Sequence, residues 1–150
     1  MHRHGVIHRD IKPDNIIYAD ASDHYFLIDF GAVKDLSPQQ VDAYVTSSPV
    51  GTRGYAPLEQ LLGYPEYNSD LYALGMVALQ ALTGLPPTDL PWDIHTGDLN
   101  LTPWRTPDHG PLLAVLWTMT RYRPQDRYPS AADALRDLHK LESLVLPLKD

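Results

Sequence analysis

His8-Arg9-Asp10-Ile11-Lys12-Pro13-Asp14-Asn15-Ile16-Ile17-Tyr18-Ala19-Asp20-Ala21-Ser22-Asp23-His24-Tyr25-Phe26-Leu27-Ile28-Asp29-Phe30-Gly31 is the stretch that organises this chain. Asn15 to Tyr18 is a short apolar run, and His24 to Ile28 is another. Ala19 to Asp23, between them, is rich in residues that favour turns, so the two runs read as the arms of a β-hairpin. The hairpin folds the polar cluster His8–Asn15 back toward Asp29-Phe30-Gly31, so that residues far apart in sequence converge at its open end.

Outward from the hairpin, the chain changes character. From Gly31 to Gly54 there is little periodicity and much Ser, Thr, Gly and Pro, as in Thr46-Ser47-Ser48-Pro49, which reads as a long functional loop. Gly51-Thr52-Arg53-Gly54-Tyr55-Ala56-Pro57-Leu58-Glu59 closes it. Ser69 is placed to cap a helix over 70–82, closed by Thr83-Gly84. Leu71, Tyr72, Leu74, Met76, Val77, Leu79 and Leu82 cover nearly every face of that helix, which predicts burial all round. Leu85 to Gly110 is proline-rich and irregular. Pro111 suits the first position of a helix carrying Leu112, Leu113, Val115, Leu116 and Met119. Ser130-Ala131-Ala132-Asp133 opens a last helix, continued by Ala134, Leu135, Leu138 and Leu141. The expected fold is mainly α, within the α+β class: a helical bundle with one small hairpin.

The chain has 150 residues, 43% hydrophobic and 21% charged, the composition of one globular domain. It has no cysteine, which excludes disulfides, thiolate metal sites and thiol nucleophiles. The formal charge of −7 argues against a nucleic-acid partner. His2, Arg3 and His4 stand where a signal peptide needs an apolar core, and the near-apolar run Leu71–Leu82 is too short to span a bilayer. The expectation is a cytoplasmic protein with no membrane partner. The histidines near the start, including His2 and His4, read as solvated rather than as metal ligands.

The chemistry lies in three clusters in order: His8-Arg9-Asp10-Ile11-Lys12-Pro13-Asp14-Asn15, Asp29-Phe30-Gly31, and Ala56-Pro57-Leu58-Glu59. Singly, Asp10 and Asp14 fit loop-capping carboxylates and Asn15 a turn residue. Jointly and in this order the clusters resemble the eukaryotic-type protein kinases, in the form found in bacteria. The resemblance covers essentially the whole chain but only the C-terminal two thirds of a kinase domain. It implies a protein-kinase-like C-lobe: a partial kinase domain over 1–150, with a catalytic loop 8–15, a metal-binding segment 29–31, an activation segment 29–59 and a helical lobe 69–142.

The resemblance carries over residue by residue, and the residue types suit phosphoryl transfer. Asp10 is the carboxylate that accepts or orients the hydroxyl proton. Lys12 stabilises charge on the transferring phosphoryl group. Asn15 and Asp29 offer hard oxygens to Mg2+, and with Lys12 they hold ATP. Gly31 is expected to let the backbone turn sharply after Asp29. Asp70 implies an acceptor for the backbone of the catalytic loop, a role that a buried carboxylate requires. Glu59 implies a pair with Arg127, and His8 and Phe30 belong to an apolar stack. Lys12 with Gly51-Thr52 resembles serine/threonine kinases, so the implied partner is a protein substrate with a Ser or Thr hydroxyl. Arg9 implies a partner for a phosphorylated loop residue, with Thr46, Ser47 and Ser48 as candidates. Leu58 before Glu59 is a departure that resembles bacterial members. The irregular Leu85–Gly110 segment departs further, lacking the helix usual there.

Other kinase parts have no counterpart in these 150 residues. Only seven residues precede His8, too few for a strand-rich phosphate-binding lobe. The nine glycines contain no Gly-x-Gly. Ala32-Val33-Lys34 imitates the strand lysine motif, yet it directly follows Asp29-Phe30-Gly31. Electrostatic contributions of this sort are each worth about 10²–10³ in rate, so this polypeptide alone is expected to bind ATP weakly and not to turn over. Ile17 and Phe30 are expected to face solvent or a partner, either a missing N-terminal lobe or a second copy. The competing readings are a non-catalytic kinase-lobe remnant that binds a partner, and a small-molecule phosphotransferase of similar fold. Lys12 and the Ala56–Glu59 loop speak against the latter.

Overall fold

The computed structural model describes residues 6–35 and 51–145. The expected hairpin is present: β2 (Ile16–Ala19) pairs antiparallel with β3 (His24–Leu27), in register from Ile16 opposite Leu27 to Ala19 opposite His24. The turn relies on Asp23 at φ 54°, whose carboxylate accepts the Tyr18 hydroxyl. A second ladder lies outside the sequence reading. β1 (Val6–Ile7) pairs antiparallel with β4 (Lys34–Asp35), closing the chain around the hairpin. Two-residue strands are too short for any periodicity to announce them.

Among the described residues four α-helices follow: α1 (Leu58–Leu61), α2 (Tyr67–Thr83), α3 (Gly110–Met119) and α4 (Ala131–Val145). Leu71, Met76 and Leu79 of α2 and Leu113, Leu116 and Met119 of α3 form the centre of the core. Leu138 and Leu141 of α4 pack against it. The proline-rich stretch after α2 has 3-10 turns at Pro87–Asp89 and Thr102–Trp104 and a single bridge between Trp92 and Leu99. It is structural all the same, because Leu90, Leu99 and Leu101 are buried in that core.

Two expectations for α2 need correction. The helix starts earlier than expected: Glu66 is the N-cap and Ser69 lies inside the first turn, its hydroxyl accepting the Glu66 N–H at 3.0 Å. That hydroxyl also donates to the Glu59 carboxylate at 2.7 Å, so Ser69 ties α2 to α1 instead of only capping a helix. Nor is α2 buried on every side. Leu74 is 42% exposed, because no element among the described residues covers its face. At the other end the expectation agrees with the structure: Gly84 closes the helix at φ 72° and donates to Gln80. No described helix is long and apolar enough to cross a membrane.

Gly75 sets the spacing of the core. A Cβ there would lie 2.7 Å from Thr120 Cγ2 and 3.0 Å from Met119 Cβ, so α2 meets the end of α3 almost backbone to side chain. Overpacking costs about 1–3 kcal/mol, whereas Ala for Gly in a helix returns about 1 kcal/mol. Thr120 and Met119 are both buried and have little room to yield. Gly75→Ala is therefore expected to lower stability by about 1 kcal/mol, read from the urea unfolding midpoint. An unchanged or raised midpoint would show that the two helices can separate freely.

Candidate active site

The loop after β1 is held by a carboxylate from the core. Asp70, in the first turn of α2 and buried, accepts the backbone N–H of His8 at 2.9 Å and of Arg9 at 3.0 Å. Arg9 sits at φ 69°, a conformation that costs a non-glycine residue about 1–3 kcal/mol unless its surroundings impose it. Its side chain reaches across to donate from Nε to the Ala32 carbonyl. His8 is fully buried. The Asp10 N–H donates to His8 Nδ1, and this assigns the ring proton to Nε2, which donates to the Ile28 carbonyl at 3.1 Å. The imidazole also meets the Phe30 ring edge-on, with centroids 5.1 Å apart. One buried histidine thus joins the polar loop to the end of the hairpin.

Asp10 is the hub of the site. One carboxylate oxygen accepts the Thr52 hydroxyl at 2.7 Å. The other lies 3.1 Å from the Lys12 ammonium and accepts the Asn15 amide at 3.1 Å. Lys12 in turn donates to the Thr52 hydroxyl at 3.2 Å, closing a ring of three side chains from two segments. Burial pushes the Asp10 carboxyl upward, but hydrogen bonds from Thr52, Lys12 and Asn15 and the charge of Lys12 outweigh it, so it titrates below the usual aspartate range. Lys12 is raised, chiefly by its hydrogen bond to Asp10 and further by the charges of Asp10, Asp14 and Asp29. The pair is fully ionised at neutral pH.

Asn15 is buried at the end of a 3-10 turn, Pro13–Asn15, that begins with a proline. Its Nδ2 donates to the Asp10 carbonyl and carboxylate, which commits the amide nitrogen to Asp10. The Ile28 N–H donates to the Asn15 carbonyl at 2.9 Å, linking Asn15 to the segment that carries Asp29. The backbone strain falls on Asp29 itself, at φ 60°, and not on Gly31. Gly31 serves by its missing side chain: a Cβ there would crowd the Asp29 carboxylate at 3.2 Å, and its N–H donates to that same oxygen. Asn15 and Asp29 are oxygen donors of the kind Mg2+ takes and would be the residues to hold such an ion. Among the described residues no group of three or more His, Asp or Glu is placed to hold a metal ion.

Farther out, Arg127 makes a two-point pair with Glu59, at 2.6 and 3.1 Å, with its own guanidinium buried. It also donates to the Arg121 and Tyr122 carbonyls and lies over the Tyr72 ring. The pair fixes α1, and so the Gly51–Pro57 turn, to the core. Thr46, Ser47 and Ser48 lie outside the described residues, as does 36–50 of the expected activation segment.

The family model for the protein kinase domain matches residues 1–136. This chain belongs to the protein kinase family. Over 148 residues it is 38% identical to serine/threonine-protein kinase PknA of a Nostoc species, covering 92% of this chain and 25% of that protein. Over 139 residues it is 42% identical to serine/threonine-protein kinase C of a Synechocystis species, covering 87% of this chain and 25% of the other. Serine/threonine-protein kinase PknB of Mycobacterium tuberculosis is 31% identical over 150 residues, with shares of 95% and 24%. The chain therefore spans about a quarter of the length of the curated relatives it matches.

Within this kinase chain the structure brings His8, Arg9, Asp10, Lys12, Asn15, Thr52 and Asp70 into one bonded network, with Asp29, Phe30 and Gly31 at its edge. Glu59 and Arg127 stand apart as a brace. Gln60, which sequence reasoning passed over, also reaches the network: its Nε2 donates to the Arg9 carbonyl. Its place next to Glu59 was the one available signal, and an amide there has no charge to advertise it.

Thr52→Val removes one hydroxyl from the Asp10 carboxylate and keeps the side-chain shape. The Asp10 carboxyl is then expected to titrate higher, nearer or above the usual aspartate value, as read by carbon-13 shifts against pH. The sign is set by linkage. A lowered carboxyl contributes stability above its unfolded value and loses it as pH falls through the folded one, so the variant also sheds part of that acid-sensitive stability. An unmoved Asp10 titration would show that Thr52 does not hold the carboxylate.

Proposed function

We propose that this chain carries the catalytic and metal-binding residues of a serine/threonine protein kinase, transferring the γ-phosphoryl group of ATP to a protein Ser or Thr hydroxyl. The observation that carries the reading is the ring formed by Asp10, Lys12 and Thr52, with Asn15 bound to its carboxylate. Asp10 is ionised and offers an acceptor to the incoming hydroxyl proton. In the transfer, the substrate oxygen forms a bond to the γ-phosphorus while the bond from that phosphorus to the bridging oxygen breaks. The proton passes to Asp10 and ADP leaves. Lys12 stays beside Asp10 and offsets charge on the moving phosphoryl oxygens. Asn15 and Asp29 would hold Mg2+, which neutralises phosphate charge when bound. Thr52 positions Asp10 and Lys12 relative to each other. The substrate class and the metal rest on family likeness, and the cytoplasmic setting rests on the sequence features alone.

Phosphate capture needs more than these residues supply. A Gly-rich cover and a lysine on the α- and β-phosphates are absent from the 150 residues, so the polypeptide by itself is proposed to bind ATP weakly and not to turn over. A covering partner is a second reading with its own support: Phe30 is 57% and Ile17 48% exposed at the open end of the hairpin, beside the site. A missing phosphate-binding lobe or a second copy would cover them.

Both readings are separated by joining the chain to the segment that precedes the matching region in the Synechocystis serine/threonine-protein kinase C. Phosphate transfer from Mg-ATP to a generic protein substrate is expected in the joined form and not in the chain alone. Asp10→Asn is expected to reduce it by about 10²–10⁴-fold. Transfer that survives Asp10→Asn at full rate would overturn the assignment, and a joined form that folds but never transfers phosphate would favour the partner-binding reading.

A further inference from the structure

We propose that Gln60 is a positioning residue for the site: its side-chain amide holds the Arg9 carbonyl and thereby the backbone turn that aims Asp10. The role rests on the reading of Asp10 as the reacting carboxylate.

Arg9 is the residue whose backbone most needs holding. Its positive φ of 69° turns the chain immediately before Asp10, and a relaxed Arg9 would swing the Asp10 side chain away from Thr52, Lys12 and Asn15. Its N–H is fixed by Asp70 on one side. Its carbonyl is fixed on the other by Gln60 Nε2 at 2.6 Å. The peptide groups flanking the strained residue are thus tied to two helices, α2 through Asp70 and α1 through Gln60.

Gln60 is 3% exposed, so its amide is not a surface group that happens to reach inward. Gly51 gives independent testimony that the amide is packed in place. A Cβ on Gly51 would lie 2.6 Å from Gln60 Nε2, 2.5 Å from the Ala56 Cβ and 3.5 Å from the Arg9 carbonyl oxygen. The chain at Gly51 therefore runs against the amide, and the next residue is Thr52, whose hydroxyl bonds Asp10. One side chain thus touches both segments that hold the reacting carboxylate. The chemistry also requires an amide. A carbonyl accepts only, so leucine would leave it without this donor, and an ionised glutamate would turn an oxygen toward an oxygen.

The test uses the isotope-labelled chain and two variants, Gln60→Leu and Gln60→Glu. The readouts are the Arg9 α- and β-carbon shifts, which follow the sign of φ, and hydrogen exchange of the Arg9 N–H against that of Met76 and Leu79 in α2. In both variants the Arg9 shifts are expected to leave the left-handed range. Exchange at Arg9 is expected to quicken by about tenfold relative to α2, the size of one ordinary hydrogen bond. A merely structural residue would lower protection throughout and leave the Arg9 shifts of the folded molecules in place, and that result would overturn the proposal. Loss of the fold in both variants would also overturn it, since the whole domain would then depend on Gln60. Neither readout uses phosphoryl transfer, so the outcome is independent of whether Asp10 acts as a kinase base.

Discussion

A buried carboxylate at the start of α2 governs the rest of the site. Asp70 is removed from water and is tolerable there because two successive N–H groups, from His8 and Arg9, satisfy it. The same two bonds, with Gln60 on the Arg9 carbonyl, hold the left-handed turn at Arg9 that no local preference of arginine would choose. The conformation of the loop that carries Asp10 is therefore inherited from the helical core. Asp70 sits in a helix whose spacing from α3 depends on Gly75, so the geometry around Asp10 traces back to how closely two helices approach.

The charges of the site are arranged as a closed set. Lys12 and Asp10 neutralise each other, and Thr52 bonds both. The ring presents an ionised carboxylate beside a cation, with one hydroxyl bonded to both. The Glu59–Arg127 pair plays a different part. Its guanidinium has four described acceptor contacts and an aromatic face, so the buried charge is well compensated. It braces the turn that brings Thr52 to Asp10 without touching Asp10, Lys12 or Asn15.

The parts of this design that could be read in advance are those written in residue type and spacing. The hairpin was legible because two apolar runs flank a turn-forming segment, and Gly84 closes α2 as a glycine after a helix should. The residues now gathered around Asp10 were legible because their order in the chain matches a known chemistry. The misses share a cause, which is that they depend on long-range packing. β1 and β4 have two residues each and pair only because the loop between them is held elsewhere. Ser69 looked like a cap, but its hydroxyl is shared with Glu59 from another helix. Leu74 carries the same hydropathy as its buried neighbours, and only the arrangement of the other helices leaves it open. Glycine advertises backbone freedom at position 31, while the positive φ falls two residues earlier, on Asp29.

The open hairpin end bears on how the molecule's thermodynamics must be understood. Ile17, Phe26 and Phe30 leave apolar area in contact with water that any folded ligand, lobe or sister molecule would gain by covering. Binding to the native form alone lowers its free energy by mass action, whereas the denatured form gains nothing. The melting temperature of this domain is then a property of its surroundings as much as of its own residues, and it should climb with whatever occupies that face.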